Sequence, residues 1–413
     1  MIGANQMTPN RISVTNLGQI KKAEVNFGDL TVFVGPQATG KSIFLQLLKL
    51  VIDAPSVQAE FQRFGIDWEG NLDNLLELYF GEGMSGIWQE GTSQLKVDGK
   101  PVDLASYAKG LKRKEKEEKL FFIPAQRVMS LRDGLTQPFS VYRSGDPFVL
   151  REFSEKLHQL VQNEFGRNPE LFPQANRLKK AERDLLAEHI FGGFDLKTSS
   201  EKLQKQFVLN KPGQKKGLPY LVWSAGQREF VPLLLGFYWL MPPSAVATRN
   251  KLQWVVIEEM EMGLHPNAIS TVLLLVLDLL SRGYRVSLST HSPHVLDLVW
   301  ALQFMKKSGG VAKDVLDIFG LKADAGTKVL AEAGLNKELK VYFFGRDGVV
   351  KDISNLDPGS ENETESGWGG LTEFSGHVGQ IVTRIANRFD TEQARQQKSE
   401  TVSPVANDTG DGR

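Results

Sequence analysis

Apolar positions in the first sixty residues alternate with polar ones and then change period. In "RISVTNL" (11–17) and "IKKAEVNF" (20–27) every second position is mostly apolar, which predicts two strands, each with one buried face. Gly18 and Gly28 mark the turns around them. "LTVFVG" (30–35) is apolar almost throughout, the pattern of a strand covered on both faces. "SIFLQLLKLVID" (42–53) then repeats its apolar residues at helical spacing.

The pattern breaks between about 55 and 119. "NLDNLLELYFGEG" predicts a helix, "SQLKVDGKPVDL" a hairpin about an Asp-Gly turn, and "KGLKRKEKEEKL" a mixed-sign, solvated helix face. The stretch reads as an insertion. "LFFIPAQR" is a buried strand leaving into a polar loop. From 135 to 205 the pattern is mainly helical and polar ("REFSEKLHQLVQNEF", "RLKKAERDLLAEHIF"), which predicts a projecting helical lobe.

Alternation of strand and helix then resumes. "KQFVLN" and "LPYLVW" flank the turn "KPGQKKG", and "SAGQREFVPLLLGFYWLM" is a loop followed by a helix. "LQWVVIEE" and "YRVSLSTHS" are buried strands; "PNAISTVLLLVLDLLSRG", closed by Gly283, and "PHVLDLVWALQFM" are helices. This order predicts an α/β fold with a mostly parallel central sheet covered on both faces. Further on, "KVYFFGRDGVVKDISNLD" predicts a hairpin about Asp347-Gly348, and the polar stretch from about 391 predicts disorder.

Composition narrows the function only a little. Lys plus Arg and Asp plus Glu both total 49 of 413 residues, so no net field marks the whole chain for nucleic acid. Cysteine is absent, which excludes disulfides and thiolate metal sites and suits a reducing cytoplasm. The start "MIGANQMTPNRISV" lacks the order of a signal peptide. "VPLLLGFYWLM" and "TVLLLVLDLL" are too short to cross a bilayer and read as buried helices, so no membrane partner is expected.

Four stretches carry candidate chemistry. "GPQATGKS" (Gly35, Pro36, Gln37, Ala38, Thr39, Gly40, Lys41, Ser42) lies between a strand and a helix, the context a phosphate loop needs. There, backbone N–H groups curl round a phosphate, Lys41 reaches the β- and γ-phosphates and the Ser42 hydroxyl ligates Mg²⁺. The bland alternative is a glycine-rich turn. "LQWVVIEEMEMGLHP" ends a strand on Glu258, suited to hold Mg²⁺, and Glu259, suited to orient or deprotonate water. Alone it could equally be a solvated acidic loop. "SLSTHSP" puts His291 at the end of a neighbouring strand, where an imidazole meets a γ-phosphate or simply packs. "WSAGQRE" places Ser224 and Gly226 at a helix N-terminus, either an anion site or a plain cap.

Their order is informative. Phosphate loop, "PAQR", "SAGQRE", "VVIEE" and "STHSP" follow the succession Walker A, Q-loop, signature, Walker B and switch histidine of ABC-type ATPases. The chain resembles the stand-alone bacterial ATPases of the OLD, RecF and SMC-like group over about residues 10–60 and 120–300. It departs from the pattern in Glu258 for Asp, in Met260 for Pro, and in Ser-Ala-Gly-Gln for Ser-Gly-Gly-Gln. No acidic pattern of a Toprim nuclease follows "STHSP".

The resemblance implies a P-loop NTPase of ABC-head type with N-terminal antiparallel strands and an inserted helical lobe. It divides the chain into 1–54 and 120–134 (core), 55–119 (insertion), 135–205 (lobe), 206–305 (core with signature, Walker B and histidine), 306–390 (C-terminal subdomain) and 391–413 (tail). It implies ATP and Mg²⁺ as ligands and adds Gln126 and Gln227 to the nucleotide contacts. It also implies Glu259 and His291 as catalytic groups, and Ser42 and Glu258 as metal ligands. Since the chain holds one copy of each motif, the resemblance implies a dimer sharing two ATP sites. By the same analogy the dimer is a switch for a separate effector, such as a nuclease, in bacterial anti-phage defence. A repair-type ATPase clamping DNA and a weakly hydrolysing ATP scaffold are the alternatives.

Overall fold

The computed structural model describes residues 8–109, 117–166, 169–199, 206–214, 216–243, 248–249 and 251–400. β1 (Arg11–Leu17) and β2 (Ile20–Asn26) pair as a hairpin with Leu17 opposite Ile20, and Gly18 turns it at a left-handed φ of +51°. Ile12, Val14, Ala23 and Val25 all face inward, as their alternation requires. β3 (Leu30–Val34) is buried at every position.

α1 (Lys41–Arg63) runs past its expected end and bends at Asp53, two residues before Pro55, whose ring and missing N–H break the helical ladder there. The bend is put to use. Asp53 accepts the backbone N–H groups of Lys119 and Leu120, and the buried Lys49 ammonium bonds Asp53, Glu118 and Glu152 at 2.9–3.0 Å. Removing one member of such a buried set leaves an uncompensated charge, so the set ties α1 firmly to the next core strand.

α2 (Leu72–Phe80), capped by the Asn71 side chain, leads to the hairpin β4 (Gln94–Val97) and β5 (Lys100–Val102), then to α3 (Ala105–Ala108). β4 pairs with β1, Val14 opposite Leu95, giving an antiparallel sheet of order β2-β1-β4-β5. The stretch 55–119 is therefore stitched into the N-terminal sheet instead of standing apart from it. Most of the charge cluster, residues 110–116, lies outside the described residues.

Next come β6 (Leu120–Ile123), a 3₁₀ turn at Ala125–Ser130, the small hairpin β7 (Leu131–Arg132) and β8 (Leu135–Thr136), and α4 (Phe148–Glu164). β9 (Glu170–Phe172), α5 (Lys180–Leu186), β10 (Asp195–Ser199), β11 (Gln206–Asn210) and β12 (Leu218–Pro219) follow. The last four strands form a second antiparallel sheet, β12-β11-β10-β9. The lobe thus carries a sheet beside its helices. β9 and β10 escape the hydropathy pattern because each is short and buries few residues, Leu171 and Phe172 on β9 and Leu196 on β10, whereas β11 falls on the strand read in "KQFVLN".

α6 (Ala225–Leu240), β13 (Trp254–Glu258), α7 (Pro266–Ser281), β14 (Arg285–Ser289) and α8 (Pro293–Ser308) match the predicted alternation. α9 (Ala312–Ile318), α10 (Ala325–Asn336), the hairpin β15 (Leu339–Phe344) and β16 (Val350–Asp352), and α11 (Glu363–Ser366) complete this unit. The central sheet has the order β16-β15-β3-β14-β13-β6, with only the edge strand β16 antiparallel. β15 lies parallel to β3, Val341 opposite Val32, so the C-terminal stretch supplies a core strand. Phe33, Phe122, Val256 and Phe344 join α1 and the N-terminal sheet in one core. Phe121 turns to the other face, against Phe153 and Trp239.

The second unit, residues 370–413, contains α12 (Glu373–Glu400). The stretch expected to be disordered from 391 is helical as far as Glu400, because "TEQARQQKSE" holds helix formers and neither Gly nor Pro, so the helix propagates beyond Phe389. Residues 401–413 lie outside the described residues. Among the described residues no helix is long and apolar enough to cross a membrane.

One buried acid yields a stability prediction. Glu182 on α5 is fully buried, its pKa is pushed up to about 8 by that burial and by the neighbouring Asp278 carboxylate, and its Oε2 accepts the Lys179 N–H. A carboxyl whose folded pKa lies above its unfolded one stabilises below the unfolded value, and that contribution is lost as pH rises through the folded value. Glu182→Gln should gain on the parent protein by up to about 1.4 kcal/mol per pH unit between roughly pH 5 and 8. Thermal melts across that range check it; a pH-independent difference would contradict the assignment.

Candidate active site

The loop between β3 and α1 is shaped by contacts that leave no room for side chains. A Cβ on Gly35 (φ +138°) would lie 2.4 Å from the Phe344 carbonyl oxygen, and one on Gly40 (φ +95°) 2.7 Å from Ile20 Cγ1. Thr39 Oγ1 donates to the Pro36 carbonyl at 2.9 Å and fastens the curl. What remains is a cavity of about 260 Å³ lined by Gln19, Gln37, Ala38, Thr39, Gly40, Lys41, Ser42, Ile43, Glu259 and His291. The N-terminus of α1 opens onto it with the positive end of its dipole.

Lys41 folds back over this loop, its Nζ 2.7 Å from the carbonyl oxygens of both Gly35 and Pro36. Burial lowers its pKa to about 8, against the opposing pull of Glu259, Glu261 and Glu258. The side chain is thus an incompletely solvated cation beside an anion-sized hollow.

Two carboxylates meet this loop from the end of β13, and they differ in environment. Glu258 is buried; Oε2 accepts the Ala125 N–H at 3.1 Å, while Oε1 makes no hydrogen bond. Burial raises its pKa, and the Ser42 hydroxyl and the Ala125 amide oppose that rise. Glu259 is half-buried, with Oε1 3.6 Å from His291 Nε2. The imidazole holds its pKa below the usual carboxylate range, so it is ionised at neutral pH. Its backbone has a left-handed φ of +44°, and its N–H donates to Ser289 O at 3.0 Å.

Further support comes from residues the pattern did not single out. Glu261 Oε1 accepts the Thr290 hydroxyl at 2.8 Å and the His291 N–H, fixing the loop that carries the imidazole. Arg127 lies beneath both carboxylates, and Gln19, from the β1–β2 turn, joins the cavity wall. Arg127 stood in the sequence only as the cation closing the buried run "LFFIPAQR", with nothing to mark its partners, and Glu261 only as the third acid of "EEME".

The remaining candidates stand elsewhere. Gln126 is exposed on the 3₁₀ turn and does not line the cavity. Ser224 caps α6 in a reciprocal box with Gln227: Ser224 Oγ accepts the Gln227 N–H at 3.2 Å, and the Gln227 side chain accepts the Ser224 N–H at 3.1 Å. A Cβ on Gly226 would come within 2.8 Å of Gly263 O, so the first turn of α6 sits on the loop after β13. Ser224, Gly226 and Gln227 do not line the cavity of their own chain.

A family model described as "AAA ATPase domain" matches residues 7–123, and one described as "AAA domain, putative AbiEii toxin, Type IV TA system" matches residues 150–297. The first spans Gly35–Ser42; the second spans Ser224, Glu258, Glu259 and His291. Solved structures similar to the chain include an SMC head bound to the C-terminal winged-helix domain of ScpA (12% identity, 83% of this chain and 96% of that one, TM-score 0.38). The SMC head domain from Thermotoga maritima (12%, 84% and 98%, 0.32) and a dimeric bacterial ABC transporter cassette (12%, 82% and 96%, 0.33) are others. No curated protein matches. Over those two stretches the chain is similar to AAA-type ATPase domains, and its mostly parallel central sheet is that of an α/β fold.

Proposed function

We propose that the chain binds Mg-ATP at Gly35–Ser42 and hydrolyses it, Glu259 acting as the base. The observation that carries this reading is the convergence of Lys41, Ser42, Glu259 and His291 on one cavity at the C-terminal ends of β3, β13 and β14, with Glu258 behind them. Lys41 exchanges two backbone carbonyls for the β- and γ-phosphates, a charge-assisted contact of greater strength. Ser42 and the unbonded Glu258 Oε1 offer the hard oxygen ligands that Mg²⁺ takes. Mg²⁺ there neutralises charge on the phosphate oxygens. Glu259, kept ionised by His291, accepts the proton of the attacking water; His291 then lies within reach of the γ-phosphate.

Ser224, Gly226 and Gln227 act on the nucleotide of a second copy, since they stand away from their own cavity while α6 presents an exposed, capped N-terminus. ATP then closes a dimer and hydrolysis opens it, a switch we assign to control of a separate effector in bacterial anti-phage defence. A family description that names a putative toxin of a type IV toxin–antitoxin system favours the defence setting of that assignment.

Calorimetry with Mg-ATP tests the binding step. Lys41→Ala should weaken affinity about 10- to 150-fold, the loss of charged hydrogen bonds worth about 1.5–3 kcal/mol. Unchanged affinity in a folded variant would overturn the site. A salt-sensitive DNA shift that needs ATP would instead favour a DNA clamp over an effector switch.

A further inference from the structure

Arg127 has no part in the chemistry just described, yet it is fully buried directly beneath it. Its guanidinium is spent on backbone carbonyls: Nη1 donates to Glu258 O at 2.9 Å, Nη2 to Glu259 O at 3.0 Å and Nε to Glu229 O at 3.3 Å. The first two belong to the successive residues that supply the metal-side and base carboxylates. The third belongs to α6, little more than one turn beyond its Ser224 cap. Glu229, Glu261, Glu259 and Glu258 lie near enough to offset the buried charge.

The pattern of contacts has a geometric reason. Glu259 holds a left-handed φ of +44°, which a long side chain rarely adopts and which persists only where its surroundings enforce it. The planar guanidinium meets these three carbonyls, two on the loop after β13 and one on α6, with three separate nitrogens; an ammonium would have to gather all three at a single nitrogen. α6 meets this loop at a second place, where Gly226 approaches Gly263 O.

We propose that Arg127 is a positioning residue: it locks the backbone of Glu258 and Glu259 so that the Glu259 carboxylate faces the phosphate loop, and it couples that geometry to α6. The proposal rests on the hydrolysis reading above. It makes the helix that faces the second copy and the base of its own site one mechanical unit, so that docking at Ser224 bears on Glu259 in the same chain.

The test uses the full chain with Arg127→Ala and Arg127→Lys, reading Mg-ATP affinity and phosphate release separately. Both variants should keep parental affinity and lose about 100-fold in kcat, the penalty of a misplaced catalytic group. Millimolar guanidinium should restore part of kcat to Arg127→Ala, and methylammonium should not. Parental kcat in either variant, or a joint loss of affinity and kcat without guanidinium rescue, would overturn the proposal. If Arg127→Ala does not fold, Arg127→Lys carries the same comparison. A parent protein without turnover would strike the hydrolysis reading instead. Positioning is then read from amide exchange at Met262 and Leu264, whose N–H groups bond to Glu259 O and Glu261 O. Faster exchange in Arg127→Lys supports the lock; unchanged exchange overturns it.

Discussion

Glu259→Gln should bind Mg-ATP with parental affinity, accumulate as a closed dimer and lose about 10²–10⁴-fold in kcat, the range ascribed to a positioned general base. The substitution keeps the shape of the side chain and its ability to accept a hydrogen bond from His291. It removes the charge that the imidazole holds ionised. Glu258 cannot take over: it is fully buried, its pKa is raised by that burial, and one of its oxygens is engaged by the Ala125 N–H. Phosphate release and size-exclusion chromatography with ATP check both halves of the expectation. Parental turnover in Glu259→Gln would exchange the roles of the two acids or abolish them.

Ser224→Arg should bind ATP as a monomer and fail to hydrolyse it, because a bulky cation replaces the cap at the face offered to the second copy. Lys41→Ala should fail for the opposite reason, having an intact cap and a crippled phosphate loop. Mixed together, the two should regain activity. In a heterodimer one composite site pairs the intact loop of the first with the intact α6 terminus of the second, so random pairing leaves about one site in four competent. The gain expected from the helix terminus, roughly 0.3–2 kcal/mol from its dipole plus charge-assisted hydrogen bonds, is enough to decide whether a dimer closes. No recovery between folded, subunit-exchanging variants would mean that Ser224 serves only as a cap.

The loop between β3 and α1 was legible because its code is local. Gly35 and Gly40 are required by positive φ values within one strand–loop–helix unit, which a short window records directly, while the Phe344 carbonyl and Ile20 that crowd them come from other strands. The buried strands ending in Glu258 and before His291 were legible for a similar reason: a strand covered on both faces is apolar throughout, and its first polar residue marks the sheet edge where ligands gather.

Pairing across long separations left no such trace. Nothing in "QLKV" says that it lies against β1, and nothing in "LKVYFF" says that it joins the central sheet beside β3, more than 300 residues earlier in the chain, since any strand with an apolar face could fill either place. β9 and β10 were hidden because a short strand that buries one or two side chains has too little period to register. Arg127 is the sharpest case. Its partners are backbone carbonyls at Glu229, Glu258 and Glu259, more than 100 residues away, and a carbonyl carries no mark in the amino-acid sequence. Residue types thus announced groups that line the cavity, whereas the groups that hold those in place emerged from the packing of the sheet, where burial and backbone geometry select the partners.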